Sequence, residues 1–166
     1  MQLNLSLAEA LWFLPFVAPI CLWVVWSDLS TMKITNASNL ALVVVFLVIG
    51  LIVLTLGDYS WRLMQFVIVL ALAFVANAIG MMGAGDSKFL AAAAPFVAPG
   101  DTVTVLLLLS AITLGAVIVH RGAKNSPLRQ LAPDWVSWSN SEKFPMGFAL
   151  GLTLIVYLVL GLIYGA

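Results

Sequence analysis

Gly83-Ala84-Gly85-Asp86-Ser87-Lys88 separates two long apolar runs. It puts a carboxylate and an ammonium directly after a flexible glycine turn. The chain has only seven acidic and seven basic residues among 166. A carboxylate at the mouth of an apolar helix is costly to keep and usually has a task. Outward from this turn, several apolar runs reach the ~17–25 residues that a membrane span needs. The chain is 63% hydrophobic and 8% charged, with a mean hydropathy of +1.13. A soluble domain must cover its core with polar surface, so this composition argues against one.

The apolar pattern predicts an all-α integral membrane protein, a six-helix bundle formed by 1–166 as one membrane-embedded domain. The expected segments are Ala10–Trp26 with Pro15 and Pro19 inside, Leu40–Leu56 ended by Gly57-Asp58, and Leu63–Met81. They continue with a fourth from Asp86 to before Pro99-Gly100, then Thr102–His120 and Pro145–Ile163. The fourth is short. From Asp86 to Val97 is 12 residues, about 18 Å of helix against about 30 Å of hydrocarbon. A recessed start would put Asp86 on the floor of a water-accessible notch.

The basic residues sort by side. Lys33, Lys88, Arg121, Lys124, Arg129 and Lys143 follow the first, third and fifth segments, whereas the opposite side carries Arg62. The positive-inside rule then places 28–39, 83–88 and 121–143 in the cytoplasm and both termini outside. No basic residue precedes the first apolar run, and Glu9 lies where the basic region of a secretory signal would be. That run is read as a retained span. Zero net charge gives no sign of nucleic-acid binding. Cys21 alone can form neither an internal disulfide nor a four-cysteine zinc site, so it is read as a packing residue. Within 121–144, Trp135 and Trp138 share a helical face and Leu128 and Leu131 are apolar, which fits either an interfacial segment or a plain loop. Gly147-x-x-x-Gly151 and Gly161-x-x-x-Gly165 permit close helix packing.

Acid–base chemistry at Asp86 needs a second titratable group on the same membrane face. Asp134 and Glu142 lie in the polar connection and read as solvated charges. Asp28 follows Trp26-Ser27 at the end of the first segment, so two aspartates sit at cytoplasmic helix ends on different helices. Two close carboxyls share one proton near neutrality. The ionised member can take a proton from water, and the protonated one can polarise a carbonyl. The bland alternatives are Asp86 as a helix cap and Asp28 paired with Lys33. Among other polar residues, Asn77 reads as a bond between helices and His120 as a cation anchoring a helix end at the interface. Glu9 and Asp58 receive no role.

Gly-x-Gly-Asp-x-Lys at 83–88, with the earlier Asp28, Lys33, Ile34 and Asn36 and the stretch Lys143-Phe-Pro-Met-Gly147, resembles the type IV prepilin and preflagellin peptidases. The resemblance implies a membrane aspartic endopeptidase of the inner (cytoplasmic) membrane with catalytic Asp28 and Asp86. The site loop would comprise Gly83, Gly85, Lys88 and Asn36, with the glycine turn admitting the substrate backbone. Lys88 would reach lipid phosphates or orient the loop. No metal or other cofactor is implied. The partners would be the bilayer and a prepilin-like precursor, cleaved at the cytoplasmic face after a short basic leader, commonly after a glycine. The family usually has Ile-Pro-Asn where this chain has Ile34-Thr35-Asn36, a departure that loosens the turn. A cysteine-rich insertion is missing, which implies the short form serving tight-adherence (Flp-type) pili, without an expectation of methyltransferase activity. The signal peptide peptidase and presenilin group shares the Gly-x-Gly-Asp string but has more spans and deeper aspartates. Two other classes compete: a small proton- or ion-coupled carrier, disfavoured because no carboxylate lies at the bilayer centre, and a non-enzymatic scaffold of a secretion system.

Overall fold

The computed structural model describes residues 2–139 and 144–166, apart from the Leu128 side chain. The expectations for Glu142, Lys143 and that side chain lie outside the described residues. The described chain is all-α. Its helices are α1 (Leu7–Thr31), α2 (Asn36–Val53), α3 (Leu56–Ala78), α4 (Ala84–Ala93), α5 (Thr102–Lys124), α6 (Val136–Ser139) and α7 (Met146–Tyr164). Five of them, α1, α2, α3, α5 and α7, are long and apolar enough to cross a membrane. The short fourth segment of the sequence becomes α4, 10 residues long, about 15 Å at 1.5 Å per residue. Pro95 cannot continue its hydrogen bonding, so the chain passes through a 3-10 turn at Ala94–Phe96.

Local side chains set the helix boundaries. Ser6 caps α1 by accepting the Glu9 amide at 3.2 Å. The helix ends at Met32, which adopts the left-handed conformation (φ 57°) and donates its N–H to Asp28 O. Thr55 caps α3, accepting the Asp58 amide at 3.2 Å and donating its hydroxyl to Asp58 Oδ2 at 2.7 Å. Gly57-Asp58 therefore lies in the first turn of α3 and does not end α2, contrary to the sequence expectation. An acidic residue is favoured there by the exposed amides of the helix start.

α1 and α7 run antiparallel at the centre. The buried face of α1, Phe13, Val17, Cys21 and Val24, follows helical spacing and meets Leu150, Leu154, Tyr157 and Leu158 of α7 in one core. Phe13 and Phe46 pack edge-on against Phe96, with ring centroids 5.0 and 5.7 Å away. Burying Cys21 completely suits the packing role expected for it. Glycines of these spacings face α1. A Cβ on Gly151 would lie 3.0 Å from the Cys21 carbonyl oxygen, and one on Gly161 would lie 3.0 Å from Ala10 Cβ. Small residues thus let the α1 and α7 backbones approach. Helices α3 and α5 are peripheral and expose Val67, Leu72, Phe74, Leu107, Leu114 and Ile118, an apolar exterior suited to lipid.

The end of the bundle near the chain termini carries a buried polar knot. Asp101 accepts from the Asn4 amide and side chain, both at 2.9 Å, and from the Leu5 amide at 3.0 Å. It also accepts from the Tyr157 hydroxyl at 2.7 Å, while that hydroxyl accepts the Ala98 amide. Glu9, given no role from sequence, pairs with Arg62 at 2.9 Å, and Arg62 also donates to Pro95 O. These bonds satisfy charges that apolar surroundings would otherwise penalise.

At the opposite end, α6 packs against α1. The Trp135 and Trp138 rings stack at 5.6 Å, and Trp26 meets Trp135 edge-on at 5.5 Å. His120 corrects its sequence reading. Helix α5 continues to Lys124, so His120 lies a turn inside it, buried and stacked on Trp138 at 4.9 Å. Asn77 corrects its reading too. Because α3 ends at Ala78, its amide donates to Met82 O at 2.8 Å and shapes the turn into Gly83, not a contact between helices.

Candidate active site

The site is assembled from three helix ends. Asp28 occupies the last turn of α1, and the αL cap at Met32 turns the chain immediately beyond it. Ser27 Oγ donates to the Lys33 carbonyl at 2.7 Å, tying the outgoing strand of chain back to the helix. Thr35 then caps α2, accepting the Ser38 amide at 3.2 Å. Its φ of −76° is close to what proline would impose. A hydroxyl cap therefore holds the turn at the position where the resemblance leads to an expectation of proline.

Asp86 lies in the first turn of α4. Gly83 is the N-cap and supplies no side chain, so the Asp86 carboxyl bends back over its amide. A Cβ on Gly83 would come within 2.8 Å of Asp86 Oδ2. Gly85 has a different neighbour: its Cβ would stand 3.3 Å from Ile34 Cβ and 3.6 Å from the Ile34 amide nitrogen. Both glycines are thus used inside the protein, one for the carboxyl and one for the 33–35 turn. Lys88 is exposed and donates to Asn36 Oδ1 at 2.9 Å, linking α4 to α2. This contact fits the loop-orienting alternative for Lys88.

Ile34 is where the two aspartates converge. It packs under Gly85 beside Asp86, and its side chain reaches within 2.9 Å of where a Gly147 Cβ would be. Gly147 in turn touches Asp28, whose Oδ2 would lie 2.9 Å from that Cβ. Asp86 is close enough for its charge to bear on the Asp28 carboxyl. Asp28 is buried at 5% exposure, whereas Asp86 is half-buried and reachable by water. The proposed pairing of Asp28 with Lys33 does not form: among the described residues the ion pair is Arg62–Glu9. Asp86 does act as a cap on its own helix, but that leaves it beside a second carboxyl. Two carboxyls so placed hold one proton between them more readily than none or two.

Sequence reasoning did not single out the start of α7 as part of the site. Phe148 donates its backbone N–H to Asp28 Oδ2 at 3.3 Å, and the Gly147 amide also faces that carboxyl. A signal was available: Pro145 stands at the N-cap and has no side chain able to accept these amides. His, Cys, Asp and Glu form no group of three or more that could hold a metal among the described residues.

The fold and the site define a class: an all-α, multi-span membrane protein with two aspartates brought together at one end of the bundle, the arrangement of a membrane aspartic peptidase. The model of the type IV leader peptidase family matches residues 16–119, and the chain belongs to that family. It is an aspartic-type endopeptidase of leader-bearing, type IV pilin-like precursors. The matched stretch contains both Asp28 and Asp86 and stops short of α7. No curated protein and no solved structure matches the chain.

Proposed function

We propose that Asp28 and Asp86 are the catalytic pair and that the enzyme removes the basic leader of an Flp-type prepilin at the cytoplasmic face of the inner membrane. The observation that carries this reading is the convergence of two aspartates, 58 positions apart in sequence, on the two sides of Ile34. The ionised carboxylate takes a proton from water as the water oxygen bonds to the scissile carbonyl carbon. The protonated carboxyl gives its proton to the carbonyl oxygen, forming a gem-diol. The C–N bond then breaks, and the nitrogen leaves with the proton first taken from water. The diol returns a proton to the other carboxylate as the product acid forms, which restores the pair.

The orientation has its own support. Arg62, the basic residue on the side opposite the site, is buried in its pair with Glu9. The exposed basic residues Lys33, Lys88 and Arg121 cluster at the end that carries Asp28 and Asp86, as a cytoplasmic face requires. With α4 as a short fourth span, the count becomes six and both termini lie outside. Apolar residues of α4, including Phe89 and Leu90, continue from the site into the bundle, where the apolar segment following a pilin leader would reside.

The test replaces each aspartate by asparagine, leaving volume and hydrogen bonding similar. Leader removal in liposomes should fall by about 10²–10⁴-fold in each variant, with the thermal unfolding midpoint near that of the parent. Undiminished processing by both variants would overturn the assignment.

A further inference from the structure

We infer that a cavity beside α4 is a socket for one bulky apolar side chain of the precursor, and that it sets which residue beyond the scissile bond the enzyme reads. The inference rests on the proposed Asp28–Asp86 chemistry and goes a step further by locating a specificity-determining contact away from the bond that is cut.

A partly open stripe runs from Asp86 along α4 and the 3-10 turn after it. Asp86, Leu90, Ala94 and Val97 are half-buried, whereas Phe89, Ala92, Ala93 and Phe96 between them are buried. Steps of four, four and three residues keep to one helical face. Leu90, Ala94 and Val97 line a cavity of about 200 Å³. Helix α7 supplies a second wall through Leu150 and Leu154, one and two turns beyond Gly147, the residue that touches Asp28. Both walls therefore lead back to a carboxyl of the pair. Val69 of α3 and Leu109 of α5 stand at the sides. Thr102 and Leu106, also at the cavity, are exposed, so it opens on the exterior of the bundle.

The volume and the lining select the occupant. The lining is apolar apart from Gln65, Thr102 and Thr153, and both threonine hydroxyls donate to local carbonyls, those of Pro99 and Ala149. Ala93 and Ala94 leave space that larger residues would fill. An apolar cavity of about 150 Å³ accepts benzene, so this one has room for a leucine- or phenylalanine-sized side chain and not for a whole helix. From Asp86 to Ala93 and Ala94 is seven to eight residues, about 10–12 Å along a helix. A precursor cut at Asp86, with its apolar segment lying against the stripe as a helix, brings the side chain about seven residues beyond the bond to the same level. The opening at Thr102 and Leu106 admits it from the lipid side. A lipid chain fits the same volume, but the stripe from Asp86 makes the cavity continuous with the cleavage site, and that continuity favours the precursor. A side chain seated there gains packing contacts that the empty lining lacks, and it holds the bond in register with the carboxyls.

The experiment uses the full-length chain in liposomes and a peptide with a basic leader, a glycine at the bond and a leucine-rich apolar helix. Each leucine from roughly the fourth to the tenth residue after the bond is replaced in turn by alanine. In the parent, one replacement, at about the seventh residue, should lower kcat/KM by about 10²-fold, and the others by less than about threefold. Ala94→Leu fills the socket and should reverse the ranking, so that alanine at the sensitive position becomes better than leucine. Leu109→Ala enlarges the socket from the α5 wall and should favour tryptophan there over leucine, which decides the matter if Ala94→Leu does not fold. Leu107→Ala, on the exposed face of α5, should leave the ranking as in the parent. A flat scan, or an equal loss for every peptide in both socket variants, overturns the socket and assigns the space to lipid. With Asp28→Asn and Asp86→Asn inactive, that result leaves the catalytic pair standing. Active asparagine variants overturn the pair, and the scan still decides the socket.

Discussion

The Asp86 carboxyl bends over Gly83, and the missing side chain is what allows it. An alanine there would crowd Asp86 Oδ2 at 2.8 Å. Because that oxygen ends a rotatable side chain, the helix can survive while the carboxyl swings away. Gly83→Ala should therefore lower leader removal by about 10²-fold, the scale on which ångström misplacements act. Its unfolding free energy should fall by less than about 1 kcal/mol, since alanine is only a poorer cap than glycine. A fully active Gly83→Ala enzyme would show that the folded-back carboxyl is not the working one. At this scale the sequence was readable for the two aspartates, because a carboxylate beside an apolar run is conspicuous. It was less readable for the glycines. Their purpose depends on which atoms lie above them, namely Asp86 Oδ2 over Gly83 and Ile34 over Gly85.

Helix ends, more than helix bodies, build this site. Asp28, Asp86 and the Gly147–Phe148 amides all belong to terminal turns, where backbone groups lack intrahelical partners and side chains must supply them. The cap of α2 gives a measurable case. Thr35→Ala removes the acceptor of the Ser38 amide and should cost about 1 kcal/mol. Thr35→Pro loses the same acceptor, but φ is already −76°. The stiffer unfolded chain returns about 0.4–1 kcal/mol, so this variant should be more stable than Thr35→Ala. Thermal unfolding in micelles checks the order, and the reverse order would mean that the turn is held by something other than its cap. Apolar length located the helices, yet several ends shifted. Leu7–Thr31 outran Ala10–Trp26 because Ser6 caps the start and Met32 the finish. Likewise Thr55 claimed Gly57-Asp58 for α3.

The whole molecule is polarised. One end holds the carboxyl pair and exposed basic residues. The other buries Asp101 in its knot with Tyr157 and pairs Glu9 with Arg62, leaving Asp58 exposed. This division fits a cytoplasmic catalytic end and a sealed outer end. Single cysteines introduced at Lys124 and Asp58, with Cys21 replaced by alanine, test it in intact cells. A membrane-impermeant maleimide should label position 58 from outside and leave position 124 unlabelled until the membrane is opened. The opposite pattern would invert the topology and remove the cytoplasmic placement of Asp28 and Asp86.

The sequence by itself determined that the protein is helical and suited to a membrane, that its basic residues favour one side, and that two aspartates lie at helix ends. These properties follow from composition, apolar length and charge, which are local and survive without knowing how helices pack. The tertiary structure decided that Asp28 and Asp86 meet around Ile34, that Gly147 brings α7 onto Asp28, and that His120 is stacked among aromatics instead of anchoring an interface. Those outcomes depend on the relative rotation and translation of whole helices, which small residues such as Gly147 and Gly151 allow. Pro145 marks the start of α7 as a helix end without a side-chain cap, but nothing in the residues around it says that Asp28 is the group brought there.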